Sequence, residues 1–119
     1  MPAPEMCAAL TQTAGIALRP EEPLARHLPL RVGGPVELWL VANDEDALSA
    51  TLKAARSSNA VWRVHWPFSD WLVRDGGLKG AVIRLGRGFE QITIDEHTVT
   101  IGSAALFSAL PGTLQGELW

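Results

Sequence analysis

The chain has 119 residues, a formal net charge of −3, 47% hydrophobic and 19% charged residues, proportions of one folded globular domain with a single modest core. The acidic balance argues against an extended nucleic-acid footprint, which needs clustered Lys and Arg, and no stretch approaches the roughly 20 apolar residues of a membrane-spanning helix. Cys7 is the only cysteine, which excludes an internal disulfide and a thiolate metal cluster.

From the N-terminus, Met1-Pro2-Ala3-Pro4-Glu5 has no basic region ahead of an apolar run, so no secretory signal is expected and a reducing cytoplasm is the expected compartment. Met6 to Leu18 reads as a weakly helical stretch, interrupted by Gly15 and closed by Pro20, the pattern of a loosely attached arm over residues 1–22. Cys7 lies in it as an inert thiol. The proline-rich segment that follows ends in the turn-forming Arg31-Val32-Gly33-Gly34-Pro35.

Val36 to Val41 is apolar at nearly every position, as in a strand buried on both faces. Asn43 is placed to cap a helix whose first turn, Asp44-Glu45-Asp46, suits the helix dipole. Ala47, Leu48, Thr51, Leu52 and Ala55 form its apolar stripe, and Ser57-Ser58-Asn59 ends it. A short strand, Val61 to Val64, completes a strand–helix–strand unit of crossover length. Beyond it, Asp75-Gly76-Gly77 is a turn, Ala81 to Leu85 a strand, and Gly86-Arg87-Gly88 another turn. Gln91 to Asp95 and Thr98 to Gly102 form a hairpin around Asp95-Glu96-His97, and Ala109 to Gly116 is a Gly/Pro loop. The pattern predicts an α+β domain.

Few side chains suggest chemistry of their own. His27, His65 and His97 are far apart and have no Cys or carboxylate at ligand spacing, so no metal is assigned. Arg74, Lys79, Arg84 and Arg87 make a basic segment that reads as a solvated rim of strand ends. Ser69 has no histidine that periodicity places against it, since His65 falls in a proline-broken loop, and no nucleophile or other catalytic residue is assigned.

Four ordered segments resemble the UDP-N-acetylenolpyruvoylglucosamine reductase (MurB) family. They are Pro23-Leu24-Ala25 leading to Arg31-Val32-Gly33-Gly34-Pro35; Ser69 with Leu72-Val73-Arg74-Asp75-Gly76-Gly77, Gly80 and Val82-Ile83-Arg84-Leu85-Gly86; Ile92-Thr93-Ile94-Asp95 with Val99-Thr100-Ile101-Gly102; and Leu110-Pro111-Gly112-Thr113 with Gly116. The resemblance implies a FAD-binding domain of the MurB and PCMH type over residues 23–119, built from two small subdomains with mixed short sheets and flavin between them. In that family the flavin passes a hydride from NADPH to an enolpyruvyl group. A C-terminal substrate domain supplies a proton-donating serine and a glutamate, and it has no counterpart in these 119 residues, so the domain is expected to be truncated. By motif, the cofactor-binding positions are Gly33, Gly34, Ser69, Asp70, Gly112, Thr113 and Gly116. Arg31, Gly33 and Gly34 read mainly as a folding requirement.

The sequence departs from the family at the cofactor. The resemblance implies a pyrophosphate loop reading glycine-any-glycine-serine-asparagine, and here the positions hold Trp66, Pro67, Phe68, Ser69 and Asp70. Glycines let successive N–H groups close on two phosphates; aromatic side chains obstruct that approach, Pro67 removes a donor, and Asp70 adds negative charge. Only Ser103 to Ala109 stand where the family carries a helical segment, Gln115 and Glu117 replace small residues, and Leu28 and Pro29 replace a pair of threonines. No FAD is therefore expected to bind. Trp62, Trp66, Phe68 and Trp71 read as rings filling the vacated flavin space, as an exposed anchor for a homodimer or protein partner, or as retained flavin contacts. These features predict a degenerate, non-enzymatic relative kept as a structural or interaction module, and the resemblance implies peptidoglycan synthesis as its context. The alternative is the FAD-binding half of a split oxidoreductase.

Overall fold

The computed structural model describes residues 2–65 and 71–105. Helix α1, Pro2–Leu10, leads into strand β1, Ile16–Pro23, and a single 3-10 turn at Leu24–Arg26. Strand β2, Pro35–Ala42, helix α2, Glu45–Ser57, and strand β3, Trp62–His65, form the expected crossover unit. Strand β4, Leu78–Leu85, a 3-10 turn at Arg87–Phe89, and the hairpin β5, Ile92–Asp95, with β6, Thr98–Ile101, follow. The architecture is α+β with short mixed sheets, as the pattern predicts.

Four strands make one sheet in the order β1-β2-β4-β3, with β1 antiparallel to β2 and the other pairs parallel. The crossover from β2 through α2 therefore skips a position, and β4 enters between its two strands. Gly80 at φ 85° shifts the register between Val36/Leu78 and Leu38/Ala81, a bulge that needs the left-handed conformation glycine adopts freely. Beyond it, alternate residues of β2 and β4 face opposite ways.

On one face, Leu38, Leu40, Ala42, Ala81 and Ile83 pack against Ala3, Met6 and Leu10 of α1 and Ala47 and Ala55 of α2. On the other, Val36, Trp39 and Val82 pack against Leu24, Leu28 and Val73. Strand β2 is buried on both faces, as its composition demands. The apolar stripe of α2 also faces inward, and the buried Thr51 hydroxyl in it donates to the Ala47 carbonyl at 2.8 Å.

Two expectations about the N-terminal half are corrected. The helix ends at Leu10 rather than continuing to Leu18, and residues 16–23 form an edge strand. Ile16 and Leu18 alternate with exposed Ala17 and Arg19, a period of two rather than 3.6, and an edge strand tolerates Pro20 because no partner needs its missing N–H. The segment is no loose arm, because Met6 is fully buried and Ala3 and Leu10 nearly so. The second correction is the α2 cap: Asp44, not Asn43, accepts the Ala47 N–H, at 2.7 Å, while the Asn43 N–H donates to Gly15.

Met6→Ala is expected to lower unfolding free energy by about 2–5 kcal/mol, the usual cost of emptying a closed core position. Urea denaturation measures it, and an unchanged midpoint is the outcome for a segment that packs on nothing.

Candidate functional site

The face of the sheet opposite the helices carries the polar groups. Register pairs Trp39 with Val82 and Val82 with Arg63, and the next row on that face is Val41, Arg84 and His65. Trp39 is 2% exposed and serves as a platform. His27, just past the 3-10 turn, lies flat on it with ring centroids 3.8 Å apart and planes at 11°. His65 tilts against the same indole at 5.5 Å and meets the edge of Trp71 at 5.2 Å.

Glu22, nearly buried at the end of β1, balances part of the positive charge. Its Oε1 lies 3.2 Å from His27 Nε2, 3.6 Å from Arg26 and 3.8 Å from Arg19. With the carboxylate ionised, the Nε2–H donates. Burial pushes the His27 pKa down against the opposing pull of Glu22.

His65 has no such partner. It is 3% exposed, and neither ring nitrogen has a hydrogen-bond partner among the described residues. Burial first, then the charges of His27 and Arg84, lower its pKa to about 4, so the ring is neutral at physiological pH. It opens with His27 on a concavity of about 340 Å³ lined also by Arg26, Arg31 and Arg84, with Leu28 and Pro29 as apolar wall. Arg31 holds φ 57° there, a left-handed conformation that a non-glycine residue adopts at a cost of about 1–3 kcal/mol.

The sequence-predicted positions fall in several places. Gly34 joins two loops: its carbonyl accepts from Leu24 and its N–H donates to Arg74, both at 3.0 Å. A Cβ on Gly34 would overlap the Asp75 carbonyl, and one on Gly33 would press Val73 at 3.1 Å. Both glycines thus face the chain itself. Trp62 is 45% exposed at the outer edge of β3, whereas Trp71 is half-buried and packs against the Trp39 cluster. Trp66, Phe68, Ser69, Asp70, Gly112, Thr113 and Gly116, with the loop changes at 66–70 and 106–119, lie outside the described residues.

The basic segment divides. Arg74, Lys79 and Arg87 are exposed as read, but Arg84 is half-buried and lines the concavity. His65 ends a strand and is buried, rather than lying in a loop. The signal was present in Arg84, a cation inside the otherwise apolar run Ala81 to Leu85. Cys7 is a half-buried thiol against the helix-side core. Among the described residues no three His, Cys, Asp or Glu side chains are grouped to hold a metal, and no helix is long and apolar enough to cross a membrane.

The UDP-N-acetylenolpyruvoylglucosamine reductase of Anoxybacillus flavithermus is 36% identical over 85 residues, 71% of this chain and 28% of that protein. The enzyme of the same name from Heliobacterium modesticaldum is 34% identical over 90 residues, 76% of this chain and 29% of that protein. Part of this chain is homologous to the MurB family. It spans less than a third of the length of the curated MurB relatives it matches, and a further MurB relative, from Halalkalibacterium halodurans, is 33% identical over 86 residues. No protein-family profile matches the chain.

Two outcomes test this geometry. Gly34→Ala is expected to destabilise the protein by about 1–3 kcal/mol through overpacking, read by thermal melt. Because the folded pKa of His65 lies below the unfolded value of 6.5, its neutral form supports the fold fully above pH 6.5. As the pH falls toward 4, that support is lost, by on the order of 3 kcal/mol. Melts across this range are expected to show the loss, and His65→Phe is expected to flatten it while keeping stability at neutral pH.

Proposed function

We propose that this chain is a MurB-type flavin domain that has given up the flavin and works as a non-enzymatic structural or interaction module in the context of peptidoglycan synthesis. The observation that carries the reading is Trp66-Pro67-Phe68-Ser69-Asp70, standing where the resemblance implies a glycine-rich pyrophosphate loop. A loop that binds phosphates through converging N–H groups needs residues without side chains at the points of closest approach. Here two of those points carry aromatic rings and one donor is lost to proline.

Gly33 and Gly34 support the same reading. They are the motif-equivalent cofactor positions among the described residues, and the space above each is taken by the Asp75 carbonyl and Val73. Their glycine requirement is that of a close backbone approach, not of a flavin. Trp71, packed into the second core cluster, fits a structural role, and Trp62, half-exposed on β3, the edge strand among the described residues, fits an interaction role.

The purified chain mixed with FAD and then desalted is expected to show no flavin band near 450 nm and no NADPH oxidation with an enolpyruvyl substrate. Flavin retained at one equivalent overturns the reading and makes the chain a working FAD domain.

A further inference from the structure

We propose that β6 is a dimer edge: it pairs antiparallel with β6 of a second copy of this chain across a two-fold axis at Thr100. The pairing joins two hairpins into one four-stranded sheet.

The hairpin is the part of the fold with the least support. Strands β5 and β6 form a sheet of their own, and among the described residues no third strand joins it. A two-stranded hairpin is marginal in water, and three or more strands are needed for independent stability. Register pairs Ile92 with Ile101 and Ile94 with Val99 on one face, and Thr93 with Thr100 and Asp95 with Thr98 on the other. Ile92 and Ile94 are half-buried, whereas Val99 and Ile101 are 39% and 45% exposed. The aliphatic face is covered along β5 and bare along β6.

The backbone supplies a second, independent observation. The Gly102 N–H donates to the Gln91 carbonyl at 2.7 Å. Hydrogen-bonded and non-bonded pairs alternate along an antiparallel ladder, so Thr100 and Thr98 also turn their N–H and C=O groups toward β5. Val99 and Ile101 turn theirs outward, where no described strand meets them. Proteins commonly blunt such an edge with a charge, a proline or a bulge. Thr98-Val99-Thr100-Ile101 has no charge and no proline, and its register is continuous. All four residues favour strands.

Register and charge select a second copy as the occupant. With Thr100 opposite Thr100 of the second copy, Val99 lies opposite Ile101 and Ile101 opposite Val99. These are the residues whose backbone groups point outward, so four hydrogen bonds close between the strands. The even offset keeps both aliphatic faces on the same side of the joined sheet; a slip of one residue would set Val99 against Thr100 and mix the faces. The two Thr100 side chains meet at the close, non-bonded spacing, where Thr–Thr contacts are favourable. Two copies of an acidic chain, each of net charge −3, meet here without a charged side chain on either strand. The equivalent pairing through β5, centred on Thr93, would set Glu90 opposite Glu96 of the second copy, and like charges so placed are destabilising.

An edge of four residues buries much less than the roughly 800 Å² per partner of a standard interface. The dimer is therefore weak, with Kd on the order of 100 μM. It does not depend on whether flavin binds.

Sedimentation equilibrium of the full chain between about 10 μM and 1 mM, with amide hydrogen exchange read by NMR at both ends of the range, tests the pairing. A monomer–dimer equilibrium is expected. Exchange at the Val99 and Ile101 amides is expected to slow about tenfold at the higher concentration, while the Thr98 and Thr100 amides are protected at both. Thr100→Lys and Thr100→Glu, at an exposed position, are each expected to weaken association at least tenfold and to leave the melting temperature of the dilute monomer unchanged. An equimolar mixture of T100K and T100E is expected to restore association, because the opposite charges then face each other across the axis. The proposal fails if the chain stays monomeric at about 1 mM. It fails equally if Val99 and Ile101 are protected to the same extent at every concentration, which would mean that the edge is covered within one copy. A mixture that associates no better than either variant alone also overturns it and moves any dimer to another surface.

Discussion

Strand β2 is the element on which everything else rests, because it is buried on both faces and each face serves a different purpose. Leu38, Leu40 and Ala42 turn toward α1 and α2 and form the apolar floor that holds the helices. Trp39, between them, turns the other way and carries His27 and His65 on its indole. A shift of one residue in register would exchange the two faces, placing an indole under the helices and leucines under the histidines. The bulge at Gly80 sets the register of β4 against β2, and the Gly34 contacts with Leu24 and Arg74 hold the loops that cover Trp39.

The Trp39 face combines features that rarely stabilise a small domain. It has a nearly buried carboxylate shared among three basic groups, a buried imidazole without partners, and a non-glycine residue in the left-handed region. Strain and unsatisfied polarity of this kind cluster where a ligand is bound, because the surrounding core supplies enough stability to hold them. Here that core lies on the opposite side of the same strand.

Part of the chain is homologous to the MurB family, while the polar site depends on side chains that the motif comparison passes over. Gly33 and Gly34, which the resemblance marks for a cofactor, are occupied with the fold. Arg84, which lies within a matched segment, lines the concavity. A family-like motif can thus report a folding constraint, and the chemistry can sit at positions between the motif glycines.

The sequence by itself determined β2, α2, β3, β4 and the β5-β6 hairpin, because each has a local period or a turn that needs no distant partner. The continuous apolar run of 36–41, the stripe from Ala47 to Ala55 and the Asp95-Glu96-His97 turn are all legible within a few residues. It did not reveal β1, whose Pro20 and acidic Glu21-Glu22 resemble a loop until pairing with β2 supplies the hydrogen bonds. Nor did it reveal that β4 enters between β2 and β3, since strand order is decided by which faces can be covered together. The concavity was hidden for the same reason. Arg26, His27, Arg31, His65 and Arg84 come from three separate segments, and only the parallel pairing of His65 with Arg84, with the 26–31 loop folded over Trp39, brings them to one place.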